Sequence, residues 1–304
     1  MIELSLARFA QRLGLSVTEL KHLCDLDTKY QIHRQRKSGG RGFRLIAKPT
    51  PELARVQRLI LDRVLIVLQP LLSPYVYGGV KRRNHVRHAR VHRRGVSFFV
   101  VDLKDAFTHG TPERMYQTLR AAGFEANTAD ALIALTTDAK LGLPQGAPTS
   151  PALFNLLCHE LDAHLTEFAE LNYLRYTRYV DELVFSGRQA ILREEQDAIL
   201  ALVAEVQFCL NPRKLHRFEA HRGAARITGI SVHDEQIGLS KKRREHIRTV
   251  FHRALTDPSI SRNRIEGLMG QVRYVYGQKI PRRLHVAYRA VYLAFRRRER
   301  LGTS

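Results

Sequence analysis

The chain has 304 residues, 44% of them hydrophobic, which allows one large domain or two to three subdomains with a sizeable core. Lysine and arginine number 50 against 29 acidic residues, a formal charge of +21 spread along the whole length. A surplus of that size points to a polyanionic partner, nucleic acid ahead of an anionic membrane surface. No apolar run approaches about 18 residues, which excludes a bilayer-spanning helix. The first ten residues lack the charged start and apolar core of a secretory leader. The three scattered cysteines, Cys24, Cys158 and Cys209, argue for reduced thiols in the cytoplasm and against a zinc site.

In chain order, residues 1–28 read as short helices, with Ser16 and Glu19 spaced as a capping box. Residues 30–49 read as a β-hairpin turning at Ser38-Gly39-Gly40. Five cations crowd that hairpin: Arg34, Arg36, Lys37, Arg41 and Arg44. They form either a solvated basic face or a flap that grips phosphates. Residues 51–72 carry a strong amphipathic helical pattern, and residues 75–94 read as a loop rich in cations and histidines.

The apolar run of residues 96–101 suits a buried strand, and it ends on Asp102. An acid at that position is costly without a cation, which makes Asp102 a candidate metal ligand. Helices are predicted over about 112–122 and 126–136, with Thr111 as N-cap and Pro112 in the first turn. The loop 142–151 is rich in Gly, Pro and Ser and leads into a helix over 152–168. It is either a plain connection or a set of backbone amides aimed at phosphate.

Residues 174–187 alternate as two strands around Asp181 and Glu182. Two like charges at a hairpin tip repel, so an arginine or a metal is expected between them. A helix over about 193–206 and strands over 215–218 and 225–231 follow. Residues 241–255, 262–277 and 281–300 read as basic helices. Arg282, Arg283, Arg289, Arg296, Arg297 and Arg298 mark a polyanion-binding face there.

Three features stand in order: an Asp at a strand end (102), Leu-Pro-Gln-Gly at 143–146, and Tyr-Val-Asp-Glu at 179–182. This series resembles the palm of a reverse transcriptase, over roughly residues 30–240. The resemblance implies an α+β right-hand polymerase with fingers, palm and thumb, the palm being an antiparallel sheet packed on helices. Residues 1–97 would form N-terminal helices and fingers. Residues 98–237 would form the palm, with a fingers insertion at about 108–150, and residues 238–304 a basic helical thumb.

By position, Asp102, Asp181 and Glu182 would be the catalytic acids and would hold two Mg²⁺ ions, with Mn²⁺ as a substitute. Lys104, Asp105 and Ala106 would face the triphosphate, and Phe107 would exclude a 2′-hydroxyl and so select deoxynucleotides. Gln145 and Gly146 would line the nucleotide pocket. Arg44 with Lys37 or Arg41 would reach the triphosphate, and Lys214 would protonate pyrophosphate.

Within the family the chain is similar to bacterial retron enzymes. Ala89 to His92 resembles their Asn-Ala-x-x-His motif, although residue 88 is His, and Ile227-Thr-Gly229 resembles Val-Thr-Gly. This implies a structured noncoding RNA as template, an RNA–DNA product, a role in anti-phage defence and a toxic effector protein as partner. Another defence-associated bacterial reverse transcriptase with different template or priming is the near alternative. The family motif ends in Asp-Asp where this chain has Asp181-Glu182, so a catalytically weak RNA-binding scaffold is the alternative from a different class.

Overall fold

A computed structural model describes residues 4–26, 28–36 and 42–300. The predicted turn at Ser38-Gly39-Gly40, and with it Lys37 and Arg41, lies outside the described residues. Two compact units divide the chain. The first comprises Met1–Asn84, Phe99–Phe185 and Ile191–His216; the second comprises His85–Phe98, Ser186–Ala190 and Arg217–Ser304.

The first unit begins with α1 (Leu6–Leu13) and α2 (Val17–Cys24). The Ser16 hydroxyl accepts from the Glu19 amide at 3.1 Å, and Glu19 Oε2 accepts from the Ser16 amide at 2.7 Å, completing the expected capping box. Strands β1 (Tyr30–Arg36) and β2 (Phe43–Pro49) then pair antiparallel with Tyr30 opposite Pro49. Helix α3 (Pro51–Ile60) is shorter than the predicted 51–72. Beyond it the chain continues as a π turn over Leu61–Leu65 and a tight 3₁₀ run over Ile66–Leu71. Pro70 inside that run lacks an amide proton and cannot propagate an α-helix.

The stretch predicted as loop over 75–94 contains α4 (His85–Val91), which belongs to the second unit. Its pattern is hidden because a residue it buries with Val86 and Ala89 is a histidine, His88, and the residue just after it, His92, is another. His88 and His92 are fully buried, and their Nδ1 atoms meet the hydroxyls of Thr228 at 2.7 Å and Ser186 at 2.8 Å. A hydroxyl partner is what lets a polar ring sit in a core.

Strand β3 (Ser97–Asp102) is buried at all six positions, as its continuous apolar run demands. Each large side chain so buried, Phe99 for example, contributes about 1.5–3 kcal/mol. Helices α5 (Pro112–Ala121), α6 (Ala126–Thr136), α7 (Ser150–Leu157) and α8 (His159–Leu171) follow. The predicted helix over 152–168 is thus two helices. Cys158, fully buried at φ −84° and ψ 6°, interrupts it. Next come β4 (Arg175–Tyr179), β5 (Glu182–Gly187), α9 (Arg193–Glu205) and β6 (His216–Glu219). Of these, β4 and β5 are neighbours in one sheet with β3, in the order β4-β5-β3. The first unit's core gathers Phe9, Leu20, Leu53, Phe99, Phe124, Phe154 and Phe185, all less than 1% to 1% exposed.

In the second unit, β7 (Ala225–Ile227), β8 (Ile230–His233) and β9 (Gln236–Leu239) form an antiparallel meander. The predicted strand over 225–231 is therefore a hairpin. Its two-residue loop, Thr228-Gly229, has φ values of 46° and 79°, the positive pair that a type I′ turn needs. Helices α10 (Lys241–Arg253), α11 (Arg262–Tyr276) and α12 (Arg282–Arg300) complete the unit, packed through Phe251, Met269, Val272, Leu284 and Val291. Among the described residues no helix is long and apolar enough to cross a membrane.

Candidate active site

Strand β3 delivers Asp102 to the edge of the first unit's core, where its side chain retains 13% exposure. Both carboxylate oxygens accept from the Lys214 ammonium, at 2.9 and 2.8 Å. The backbone around it is tied on both sides. The Asp102 carbonyl accepts from the Asn211 amide at 2.9 Å, and the Leu103 amide donates to the Asp181 carbonyl at 2.8 Å. That last bond brings the two acidic segments together at the backbone.

Asp181 is the second residue of the two-residue loop between β4 and β5. The first, Val180, has φ 57°, a left-handed conformation that costs a β-branched residue on the order of 1–3 kcal/mol. Such a turn persists only when its surroundings determine it. Here a Cβ on Gly78 would meet the Val180 nitrogen at 2.4 Å, so only glycine permits the approach. The Asn155 amide donates to the Gly78 carbonyl at 2.8 Å, and the Tyr77 amide donates to the Arg178 carbonyl at 2.7 Å.

The Asp181 carboxyl is raised above the usual carboxylate range, by burial first and by the negative charge of Asp102 second. Its own backbone amide and the cations Lys214 and Arg44 pull in the opposite direction. Asp102, Asp181, Lys214 and Arg44 therefore share one electrostatic field. Asp102, far from Asp181 in sequence, is a like charge that acts on it. Glu182 opens β5 and is half-buried.

The turn after β3 carries the next group of expected residues. The Lys104 amide donates to the Cys209 carbonyl at 2.8 Å, so that proton is already committed. Asp105 is left-handed at φ 46° and opens a 3₁₀ turn over Ala106–His109, with Ala106 buried. Phe107 packs on Phe154 with ring centroids 5.2 Å apart. The loop at 142–146 is fastened to this turn and to β2. The Leu143 amide donates to the Phe107 carbonyl at 3.0 Å, and the Ala47 amide donates to the Gln145 carbonyl at 2.8 Å. Gly142, at φ 67°, sits against the Phe107 and Thr108 carbonyls, where a Cβ would come within 2.8 Å. Gly146 approaches Ile46 and Ala47 of the strand that also bears Arg44.

These residues fit a divalent cation with oxygen ligands. Two carboxylates stand close enough to perturb one another, and an ammonium bridges both oxygens of one of them, where positive charge is needed. Among the described residues no three His, Cys, Asp or Glu side chains converge on one point as a metal cage. Two carboxylates would leave positions for further oxygen ligands such as substrate phosphates, which suits a hard divalent cation. In the second unit, Arg282, Arg283, Arg289, Arg296 and Arg297 lie exposed on α12. Arg298 is half-buried and donates to the Leu255 carbonyl at 2.7 Å, so it also holds the helices together.

Residues 35–244 match the family model "Reverse transcriptase (RNA-dependent DNA polymerase)". The chain belongs to the reverse transcriptase family. Its enzyme class is that of an RNA-directed DNA polymerase. It is 31% identical to the retron Mx65 reverse transcriptase of Myxococcus xanthus, over 90% of this chain and 69% of that relative. It is 27% identical to the retron Ec86 reverse transcriptase of Escherichia coli, over 79% of this chain and 75% of that one. Among solved structures, telomerase from Candida albicans in complex with a TWJ fragment of telomeric RNA superposes with a TM-score of 0.50 at 10% identity. That match covers 89% of this chain and 57% of the telomerase chain, and it supports the α+β right-hand polymerase fold.

Sequence reasoning passed over two charged residues beside this hairpin. Arg178 and Asp162 form a fully buried ion pair, with side chains 0% and 2% exposed. Each left a signal in the sequence: an arginine between buried positions of β4, and an aspartate between Leu161 and Leu165 on the apolar face of α8.

Proposed function

We propose that this reverse transcriptase copies a structured noncoding RNA into DNA by metal-assisted nucleotidyl transfer, as a retron enzyme that serves anti-phage defence with an effector protein. The observation that carries the catalytic reading is the coupling of Asp181 to Asp102, expressed in the raised Asp181 carboxyl and the Leu103–Asp181 backbone bond. Identity to two retron reverse transcriptases over most of the chain supports the retron assignment.

In this reading Asp102, Asp181 and Glu182 would hold two Mg²⁺ ions. When bound, the ions lower the pKa of the primer 3′-hydroxyl and neutralise charge on the triphosphate. Arg44, with Lys37 or Arg41, pairs with the triphosphate oxygens. The amides of Asp105 and Ala106 orient it, and Gln145 and Gly146 line the base and sugar. The ring of Phe107, braced by Phe154, excludes a 2′-hydroxyl. The Lys214 ammonium, already at hydrogen-bond distance from Asp102, donates a proton to the departing pyrophosphate. Residues 1–97 act as fingers and 98–237 as palm. Residues 238–304 act as a thumb whose exposed arginines neutralise RNA phosphates.

The test is direct. Purified protein with its co-purifying nucleic acid is given labelled deoxynucleotides and Mg²⁺. Labelled DNA that is absent with Asp181→Asn supports the reading, and sequencing it identifies the template. No DNA with either Mg²⁺ or Mn²⁺ from the wild-type protein overturns it.

A further inference from the structure

The hairpin that carries Asp181 contains a second charged device. The Arg178 Nε donates to Asp162 Oδ1 at 2.8 Å and its Nη2 to Oδ2 at 2.7 Å, a bidentate fork in a fully buried place. Tyr176 adds a hydroxyl bond to Oδ1 at 2.8 Å. With the fork occupied, the remaining edge of the guanidinium donates from Nη1 to the Val180 carbonyl at 2.9 Å. That carbonyl belongs to the peptide that joins Val180 to Asp181. The same guanidinium lies 5.5 Å over the ring of Phe154, and Phe154 packs on Phe107.

Stability alone does not call for this arrangement. Well-packed apolar side chains of similar volume serve a core as well as a buried ion pair, or better. What an apolar pair cannot do is hold a carbonyl by a fixed donor. Val180 is left-handed at φ 57°, and the orientation of its peptide decides where the Asp181 carboxylate points. The backbone of Arg178 is itself clamped, its amide donating to the Tyr75 carbonyl at 3.0 Å and its carbonyl accepting from the Tyr77 amide. The guanidinium is thus anchored at Asp162 and at its own backbone, with Nη1 free to reach the turn. Lysine has no planar fork and cannot serve both acceptors in this geometry.

We propose that Arg178, held by Asp162, is a positioning residue that sets the Val180–Asp181 turn, and through Phe154 steadies Phe107 as well. The inference rests on Asp181 being one of the metal-holding acids of the polymerase reaction. The consequence is specific. Loss of the guanidinium leaves nucleotide binding by Arg44 and the 142–146 loop in place but displaces the Asp181 carboxylate. A shift of about 1 Å at a reacting centre costs up to about 100-fold in rate.

The experiment compares the wild-type protein, Arg178→Lys, and the double variant Arg178→Met with Asp162→Leu, which removes both charges together and so leaves none buried alone. Thermal melting and circular dichroism establish folding. Steady-state DNA synthesis gives kcat and KM for the deoxynucleotide, and Mn²⁺ titration followed by electron paramagnetic resonance gives metal affinity without turnover. The expected result is a folded double variant with kcat down about 10- to 100-fold, KM within about threefold, and weaker Mn²⁺ binding. A folded double variant with wild-type kcat and wild-type Mn²⁺ binding overturns the proposal. If the double variant does not fold, Arg178→Lys is judged by the same two outcomes. A wild-type protein that makes no DNA contradicts the polymerase reading instead, and the Mn²⁺ titrations then still decide whether Arg178 positions Asp181.

Discussion

Two ion pairs in the first unit have the same chemistry and opposite characters. Lys214–Asp102 is open, with the lysine side chain 48% exposed, while Arg178–Asp162 is sealed at 0% and 2%. The open pair is one flexible ammonium on one carboxylate. It satisfies Asp102 until another cation takes its place, and the half-exposed ammonium is readily rehydrated when it lets go. The sealed pair is a planar fork with further hydrogen bonds to Tyr176 and Val180, and its charges have no alternative partner in the core. The comparison teaches that a reactive acid needs a replaceable counterion, whereas the scaffold that aims it needs an irreplaceable one.

The largest effect that sharpens this contrast falls on the acids themselves. Asp102→Asn and Asp181→Asn each lower DNA synthesis by about 10³-fold or more, measured as labelled product per unit time. On stability the order reverses. Arg178→Ala strands a fully buried carboxylate and costs about 3–5 kcal/mol in denaturant unfolding, whereas Lys214→Ala leaves Asp102 in partial contact with water and costs less. Equal losses for the two would erase the distinction. Phe107→Ala raises incorporation of ribonucleotides relative to deoxynucleotides by about 10²-fold, read from paired single-nucleotide extension assays.

The smallest effect is a pH dependence. The folded-state pKa of Asp181 lies above its ordinary value, so the folded protein holds that proton longer than the unfolded chain does. Its contribution to stability is most favourable below the ordinary aspartate range of about 3.9 and declines as pH rises through the raised value. In metal-free buffer, Asp181→Asn therefore melts with the wild-type protein at low pH and above it as neutrality is approached. A Tm difference that stays constant over that range contradicts the raised pKa.

Much of this site was legible because its chemistry leaves few choices. An acid at the end of the buried 97–101 run, a Gly- and Pro-bounded loop at 142–146 and an acid at a hairpin tip each stand out against their surroundings. What adjacency in sequence could not convey is which charges meet. Asp102 lies 79 residues before Asp181, yet β3 brings it over as a charge that perturbs Asp181. Arg178 and Asp162 lie 16 residues apart on a strand and a helix, and only folding turns them into a fork. Buried His88 in α4 and His92 just after it disguise a helix as a polar loop. The Ile227-Thr-Gly229 segment read as continuous strand, although Thr228 supplies both a left-handed turn and a hydroxyl for His88. Pro70 was visible in the sequence, and the strong apolar face of residues 51–72 masked its meaning.

The claim on which the rest depends is that Asp102 and Asp181 together hold a divalent cation. Thermal melting of the wild-type protein, Asp102→Asn and Asp181→Asn across a Mg²⁺ titration at neutral pH tests it most directly. A ligand that binds only the folded state raises Tm with concentration. The account predicts a rising Tm for the wild-type protein and a flat one for each variant. The same rise in all three would contradict it.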